Sequence, residues 1–381
     1  MQRVTRVLIT GGAGFIGSRL AAELAAQGHQ VTILDSLLPQ VHGVDPEQSP
    51  LFQAASAAGT VIVGDVTSRD DVERALAGQD VVVHLAAETG TGQSMYEIER
   101  YSRVNVGGTA LLLDVLANDP ERTVGKVVVA SSRAVYGEGR YLSEELGAVH
   151  PGSRREEDLL AGRFEPTVPG DVSGLRVVPT PEDAVLSPQS VYGITKQTQE
   201  ALVMAVCPAL GIAPVALRYQ NVYGPGQSLT NPYTGILSIF STLIRQGKSI
   251  NIFEDGLESR DFVFVDDVVR ATAQAALDPR ADGKVLNVGS GVATTVSEVV
   301  EELMRAYGRR VPTQVTGDFR LGDIRHNIAD IELIRRTLGF EPTVSFAAGV
   351  HAFAQWVETQ AVVDGGYQDS LQEMRARGLL K

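Results

Sequence analysis

Short apolar runs rich in branched residues recur along the N-terminal part of the chain, separated by polar or glycine-rich turns. Residues 6–10, Arg-Val-Leu-Ile-Thr, form the first run and predict a buried strand. A glycine-rich turn follows, and residues 18–27 then read as an alanine-rich helix. Residues 30–34 predict a second strand ending at Asp35. Residues 60–63 predict a third that leads to Asp65 and Val66, and residues 80–85 a fourth that leads to Ala86 and Ala87. Further along, residues 106–117, 190–209 and 236–246 read as helices, and residues 250–253 as a short strand.

The turn Gly11-Gly12-Ala13-Gly14-Phe15-Ile16-Gly17 lies between a strand and a helix, the context a dinucleotide fingerprint needs. Gly11, Gly14 and Gly17 permit a tight turn and close approach of backbone to a pyrophosphate. The helix N-terminus then offers unpaired N–H groups to the phosphate charge. Asp35 follows at the distance where a carboxylate bonds the adenosine ribose and repels a 2′-phosphate, which favours NAD over NADP. Asp65 could accept the adenine amino group, and the small Ala86 and Ala87 let a dinucleotide lie against a strand end. His84 lies inside an apolar run with no second ligand at useful spacing, so it reads as a core histidine, and no metal is expected.

Tyr192 and Lys196 are four residues apart and share one face of a helix. A free tyrosine has a pKa of about 10, too high for a base at neutral pH. A nearby cation favours the phenolate. Lowering the value to about 7 takes roughly 4 kcal/mol, and the cationic ring of a bound nicotinamide could supply part of it. On its own the pair is weak evidence, because the spacing arises often by chance and an exposed helix face is the commoner reason for it.

The 381 residues allow about two domains. A net charge of −13 argues against nucleic acid as a partner, although a nucleotide needs only a few local arginines. Cys207 is the only cysteine and reads as a core thiol in a reducing compartment. Strand material begins almost at Met1, and no apolar run reaches the ~18 residues of a membrane span, so no signal peptide, no membrane association and a cytoplasmic location are expected.

Several ordered motifs resemble the extended short-chain dehydrogenase/reductases, the nucleotide-sugar epimerase and dehydratase family. Thr10-Gly11-Gly12-Ala13-Gly14-Phe15-Ile16-Gly17 is similar to its cofactor turn, His84-Leu85-Ala86-Ala87 to the end of its fourth strand, and Asn105 to its helix asparagine. Ser131-Ser132-Arg133 resembles the strand with the catalytic Ser or Thr, and Tyr192-Gly193-Ile194-Thr195-Lys196 the catalytic helix. Arg218-Tyr219-Gln220-Asn221 and Arg260-Asp261-Phe262 resemble later signatures. The likeness runs to about Asp330.

The resemblance implies a Rossmann-type doubly wound parallel sheet carrying NAD over residues 1–225, and a smaller C-terminal α/β domain over 226–381 that binds a nucleotide sugar. A return segment is expected near 260–280 and an insertion at about 139–187. It implies Gly11, Gly14, Phe15, Ile16, Gly17, Asp35, Asp65, Val66, Leu85, Ala86, Ala87, Asn105 and Tyr219 as cofactor contacts, together with Tyr192 and Lys196. Tyr192, Ser132 and Lys196 would be catalytic: base, hydroxyl anchor, and ribose contact that lowers the tyrosine pKa. Glu88, Arg133, Asn221, Thr234, Gly235, Phe253, Arg260, Asp323 and Arg325 would face the substrate, with Arg260 and Arg325 neutralising its diphosphate. Uracil is the favoured base, and thymine fits the same pattern. The helices 106–117 and 190–209 resemble those that pair in a homodimer, although both could be monomer core.

Dehydratases of the family carry Asp-Glu after the catalytic Thr, and here Arg133 and Ala134 stand there. Alanine has no proton to give and guanidinium is a poor acid. What the resemblance leaves is 4-epimerisation of a UDP-hexose or UDP-hexuronate through a 4-keto sugar. Dehydration or decarboxylation using Glu88, epimerisation at C3 or C5, and a non-catalytic nucleotide-binding module are the alternatives. Arg133 could pair with a C6 carboxylate or with a carboxylate of the insertion. The insertion, rich in Gly, Pro, Glu and Arg, reads as a lid over the sugar or as a surface excursion; with His150 its one histidine and no cysteine, it offers no zinc site.

Overall fold

The computed structural model describes residues 4–229, 235–361 and 366–381. Its centre is a seven-stranded parallel sheet of β1 (Arg6–Thr10), β2 (Gln30–Asp35), β3 (Thr60–Val63), β4 (Val81–His84), β5 (Lys126–Ser132), β9 (Ala213–Tyr219) and β13 (Lys284–Val288). Their order across the sheet is β13-β9-β5-β4-β1-β2-β3. Apolar runs suit this sheet because both faces are covered by helices. Along β1, Val7 and Ile9 enter one core with the helices Phe15–Ala26 and Val265–Leu277. Leu8, pointing the other way, enters a second core with the helices Gly108–Asn118 and Val191–Ala209. The strand order reverses at β1, which has β4 on one side and β2 on the other. A crevice therefore opens at the carboxyl ends of these strands, where such sheets bind ligands.

The return of the chain to this sheet reaches further than residues 260–280. The helix Val265–Leu277 packs on it, and β13 then pairs in parallel with β9 as the edge strand. Lys-Val-Leu-Asn-Val is too short and too broken by polar residues to announce a sheet strand. The smaller lobe holds β10 (Asn221–Tyr223), β12 (Ser259–Phe264), β14 (Ala293–Thr295) and β16 (His326–Asn327) in one sheet, and β11 (Ile250–Ile252) paired with β15 (Thr313–Val315). Phe253 falls just beyond β11, where the chain turns: Glu254 has φ +49°. The helix expected at 106–117 begins earlier, as a wide π-helical turn, Ser102–Gly107, that carries Asn105.

The insertion is ordered structure. β6 (Tyr141–Ser143) pairs antiparallel with β7 (Gly147–Val149) and with β8 (Arg176–Val177), and a short helix spans Glu156–Leu160. Among the described residues, no helix is long and apolar enough to cross a membrane, and no cluster of three or more His, Cys, Asp or Glu side chains could hold a metal ion.

Candidate active site

A cavity of about 740 Å³ occupies the crevice and runs from the glycine turn to the smaller lobe. At the turn, Gly11 has φ +68°, and a Cβ there would meet the Ala86 backbone nitrogen at 2.8 Å. A Cβ on Gly17 would meet the Gly11 carbonyl oxygen at 2.4 Å, so helix and turn touch backbone to backbone. Beside Gly14 a Cβ would find only that oxygen, at 3.2 Å, and Gly14 faces the cavity. This is a cradle with room for a pyrophosphate at a helix N-terminus. Phe15 and Ile16 line it too.

Asp35 closes the end of the cavity beside the turn. Its carboxylate accepts from the Ala13 and Leu37 backbone nitrogens at 3.0 and 2.9 Å and faces the cavity. Asp65, Val66, Leu85, Ala86 and Ala87 form the adjoining wall. Asp65 spends one oxygen on Thr67. Tyr219 lines the floor, its hydroxyl bonded to Thr272 at 2.7 Å.

Tyr192, Ser132 and Lys196 converge midway along the cavity. Ser190 caps the tyrosine's helix by accepting from the Gly193 nitrogen. The Tyr192 hydroxyl is raised by burial, while its hydrogen bond with Ser132 and the nearby Arg133 charge pull it back. Lys196 donates to the Ala130 carbonyl at 3.0 Å, and burial lowers its ammonium to about 7. Beneath them His84 bonds Thr10 at 2.7 Å and Thr109 at 2.9 Å, and burial holds it neutral at about 3. It is the core histidine its apolar run suggests.

Asn105 stands behind the wall rather than in it. It accepts from the Glu88 nitrogen at 2.7 Å and donates to the Glu88 carbonyl and to Thr195, tying the β4 loop to the helix Val191–Ala209. Glu88 lines the cavity, but both its oxygens accept from Arg100 at 2.9 Å. Glu88 is thus a bonded loop carboxylate. Tyr136 is packed in the core and bonded to Asn287 and Arg218.

At the end of the cavity beside the smaller lobe, Arg133 donates to Asn221 Oδ1 at 2.8 Å, not to a carboxylate of the insertion, and both residues line the cavity. Burial, then the neighbouring Arg260, lowers Arg133 to about 10. Arg260 bonds Asp323 at 3.0 Å. Burial opposes ionisation of Asp323, yet Arg260, Arg320, Arg133 and Arg154 hold it below its ordinary value. Gly235 and Phe253 are also in the wall, whereas Thr234 lies outside the described residues. Arg325 is placed otherwise than expected: it is fully buried, outside the cavity wall, and committed to Glu165, Glu254 and Asp255. A guanidinium ringed by carboxylates has little positive field left for a diphosphate.

Three wall residues were not picked out in the sequence. Arg100 neutralises Glu88 across 12 residues. Arg320 stacks its guanidinium 5.2 Å from the Phe253 ring. Glu258 is pushed up to about 7, mainly by burial. Only Arg320 has a sequence hint, its place just before Gly322-Asp323.

Residues 7–289 match the model of the NAD dependent epimerase/dehydratase family. The chain belongs to that family. It is 39% identical over 356 residues to a dTDP-L-rhamnose 4-epimerase of Burkholderia thailandensis, covering 92% of this chain and 94% of that one. It is 31% identical to a UDP-glucose 4-epimerase of Mycolicibacterium smegmatis, covering 91% and 96%. The solved structure of MoeE5 in complex with UDP-glucuronic acid and NAD is similar with a TM-score of 0.72 and 30% identity, covering 93% and 99%. This is therefore an NAD-dependent enzyme of the extended short-chain dehydrogenase/reductase class, and the glycine cradle with Asp35 fits that cofactor.

Proposed function

We propose that the chain is a nucleotide-sugar 4-epimerase working through a transient 4-keto sugar. One arrangement carries the reading: Ser132 and Tyr192 are hydrogen-bonded at the cavity beside Lys196, while Arg133 and Ala134 follow the serine and Arg100 engages the nearby Glu88. One base and one hydroxyl anchor suffice for 4-epimerisation. Dehydration needs a further acid that this corner does not offer.

Tyr192 takes the proton of the C4 hydroxyl and later returns it. Ser132 holds the same oxygen, and Lys196, fixed on Ala130, keeps positive charge close to the phenol. Gly11, Gly14 and Gly17 with Asp35 would hold NAD, which when bound would supply a reversible hydride acceptor for C4 and the positive charge of its oxidised ring. Arg260, with Asn221, binds the diphosphate, and Asp323 meets the nucleoside ribose.

The substrate is a thymidine-diphosphate 6-deoxyhexose in the first reading. The relative at 39% identity supports it, and so do Phe253, Phe319 and Met374 in the cavity wall, which suit a methylated pyrimidine. The expected preference for uracil is thereby reversed in this proposal. Arg133 at the wall supports a second reading, a UDP-hexuronate whose carboxylate it would pair. The exposed side of the helix Val191–Ala209, with Ile194, Ala201 and Ala205, is proposed as a homodimer face.

Incubation with dTDP-L-rhamnose, UDP-glucose and UDP-glucuronate, with products resolved by NMR, tests these readings. Inversion at C4 of the dTDP sugar is expected, and a 4-keto-6-deoxy product from UDP-glucose would overturn the epimerase. For the second reading, Arg133→Ala should raise KM for UDP-glucuronate by about tenfold more than for UDP-glucose; equal effects would remove it.

A further inference from the structure

Residues 139–187 do not form a lid, for none of them lines the cavity. They pack behind its substrate end. Arg154, whose side chain is 3% exposed, is the centre of the contact. Its two terminal nitrogens grip both oxygens of Glu254, at 2.9 and 2.8 Å, and also donate to the main-chain carbonyls of Phe164 and Asp323, at 3.0 Å each. Its Nε stands 3.3 Å from Glu138, at the root of the insertion. Glu138 in turn accepts from the backbone nitrogen of Arg325 at 2.8 Å. Glu165, from the far limb of the insertion, bonds Arg325 at 2.8 Å.

The gripped residues are themselves cavity wall. Glu254 and Asp323 both line it, and Glu254 follows Phe253. Glu254 also adopts φ +49°, one of two non-glycine residues with positive φ among the described residues. A side chain in that conformation is strained and persists where its surroundings over-determine it. The surroundings here are two guanidinium groups, those of Arg154 and Arg325.

We infer that the insertion is a strap that sets the shape of the substrate end from behind, with Arg154 as its positioning residue. Through Glu254 it fixes the turn that presents Phe253, and through the Asp323 carbonyl it fixes the segment whose carboxylate pairs with Arg260. The strap therefore governs affinity for the nucleoside diphosphate part of the substrate and leaves the chemistry at Tyr192 alone. This inference rests on the nucleotide-sugar reading above.

The test is calorimetric titration of the NAD-loaded protein with TDP and with UDP, beside kcat and KM for the epimerised sugar. In Arg154→Met the nucleoside diphosphate Kd and the KM should rise about tenfold or more, with kcat within about threefold and bound NAD unchanged. Arg154→Met with Glu254→Gly removes both the carboxylate left with Arg325 as its one guanidinium partner and the strained φ, and should recover most of the lost affinity. Arg154→Lys keeps the charge but not the fork, and should give a smaller rise in Kd; it carries the same test if the methionine variant does not fold. Wild-type Kd in the folded variants, or a loss in kcat without a loss in binding, overturns the strap alone. Wild-type protein that binds neither nucleotide overturns the functional reading and the strap with it.

Discussion

Lys196 Nζ lies 6.0 Å from the centre of the Tyr192 ring and is anchored on the Ala130 carbonyl at 3.0 Å. Helical spacing alone puts the two on one face. The strand β5 fixes the distance, because its last residues supply both the anchor for the lysine and Ser132 for the phenol. Tyr192→Phe should lower kcat by about a thousandfold or more with NAD retained, since the variant keeps the ring and loses only the proton acceptor. Lys196→Met should lower kcat and shift the alkaline-going limb of its pH profile upward. Turnover by Tyr192→Phe within tenfold of wild type would remove the phenol from its proposed role.

Glu88→Gln separates the epimerase from a Glu88-driven elimination. With its carboxylate already held by Arg100, the substitution should cost less than about tenfold in kcat, below the 10²–10⁴ of a true acid/base group. Turnover in deuterium oxide should leave the sugar carbons unlabelled, because hydride returns directly to C4. Label at C3 or C5 would point to enolisation instead.

Gly17→Ala should abolish NAD retention. The new methyl would sit 2.4 Å from the Gly11 carbonyl oxygen and 2.6 Å from Gly12 Cα, and backbone cannot step aside as a side chain can. The helix must move off the turn and take its N–H groups away from the pyrophosphate. The absorbance ratio of purified variant to wild type at 260 and 280 nm, followed by released-NAD assay, measures the loss.

His84 predicts an acid weakness. Its folded value is about 3, against 6.5 when unfolded, because burial forbids the charge. Below 6.5 the unfolded chain binds a proton that the folded chain refuses. Stability from this group is thus complete above 6.5 and falls as pH drops toward 3, at about 1.4 kcal/mol per unit. Urea midpoints for wild type and His84→Gln between pH 7 and 5 should show a steeper fall in wild type; parallel curves would refute it.

By itself the sequence determined what local chemistry can specify. The glycines of the turn and the pair Tyr192–Lys196 are set by spacings of a few residues and Asp35 by the end of the next strand, so their place along one cavity was legible before any fold was known, and so were the strands with continuous apolar runs. The tertiary structure decided whatever depends on partners far apart in the chain. Arg325 has the motif of a phosphate ligand, yet carboxylates at 165, 254 and 255 claim it. Glu88 has the position of an acid, yet Arg100 claims it. Lys284–Val288 is too short to read as sheet, yet β9 pairs with it. The insertion, read as a lid or as a surface excursion, packs behind the cavity, where Arg154 meets Glu254, 100 residues away. Charge is neutralised by whatever the fold brings within 3 Å, and no one-dimensional pattern encodes that distance.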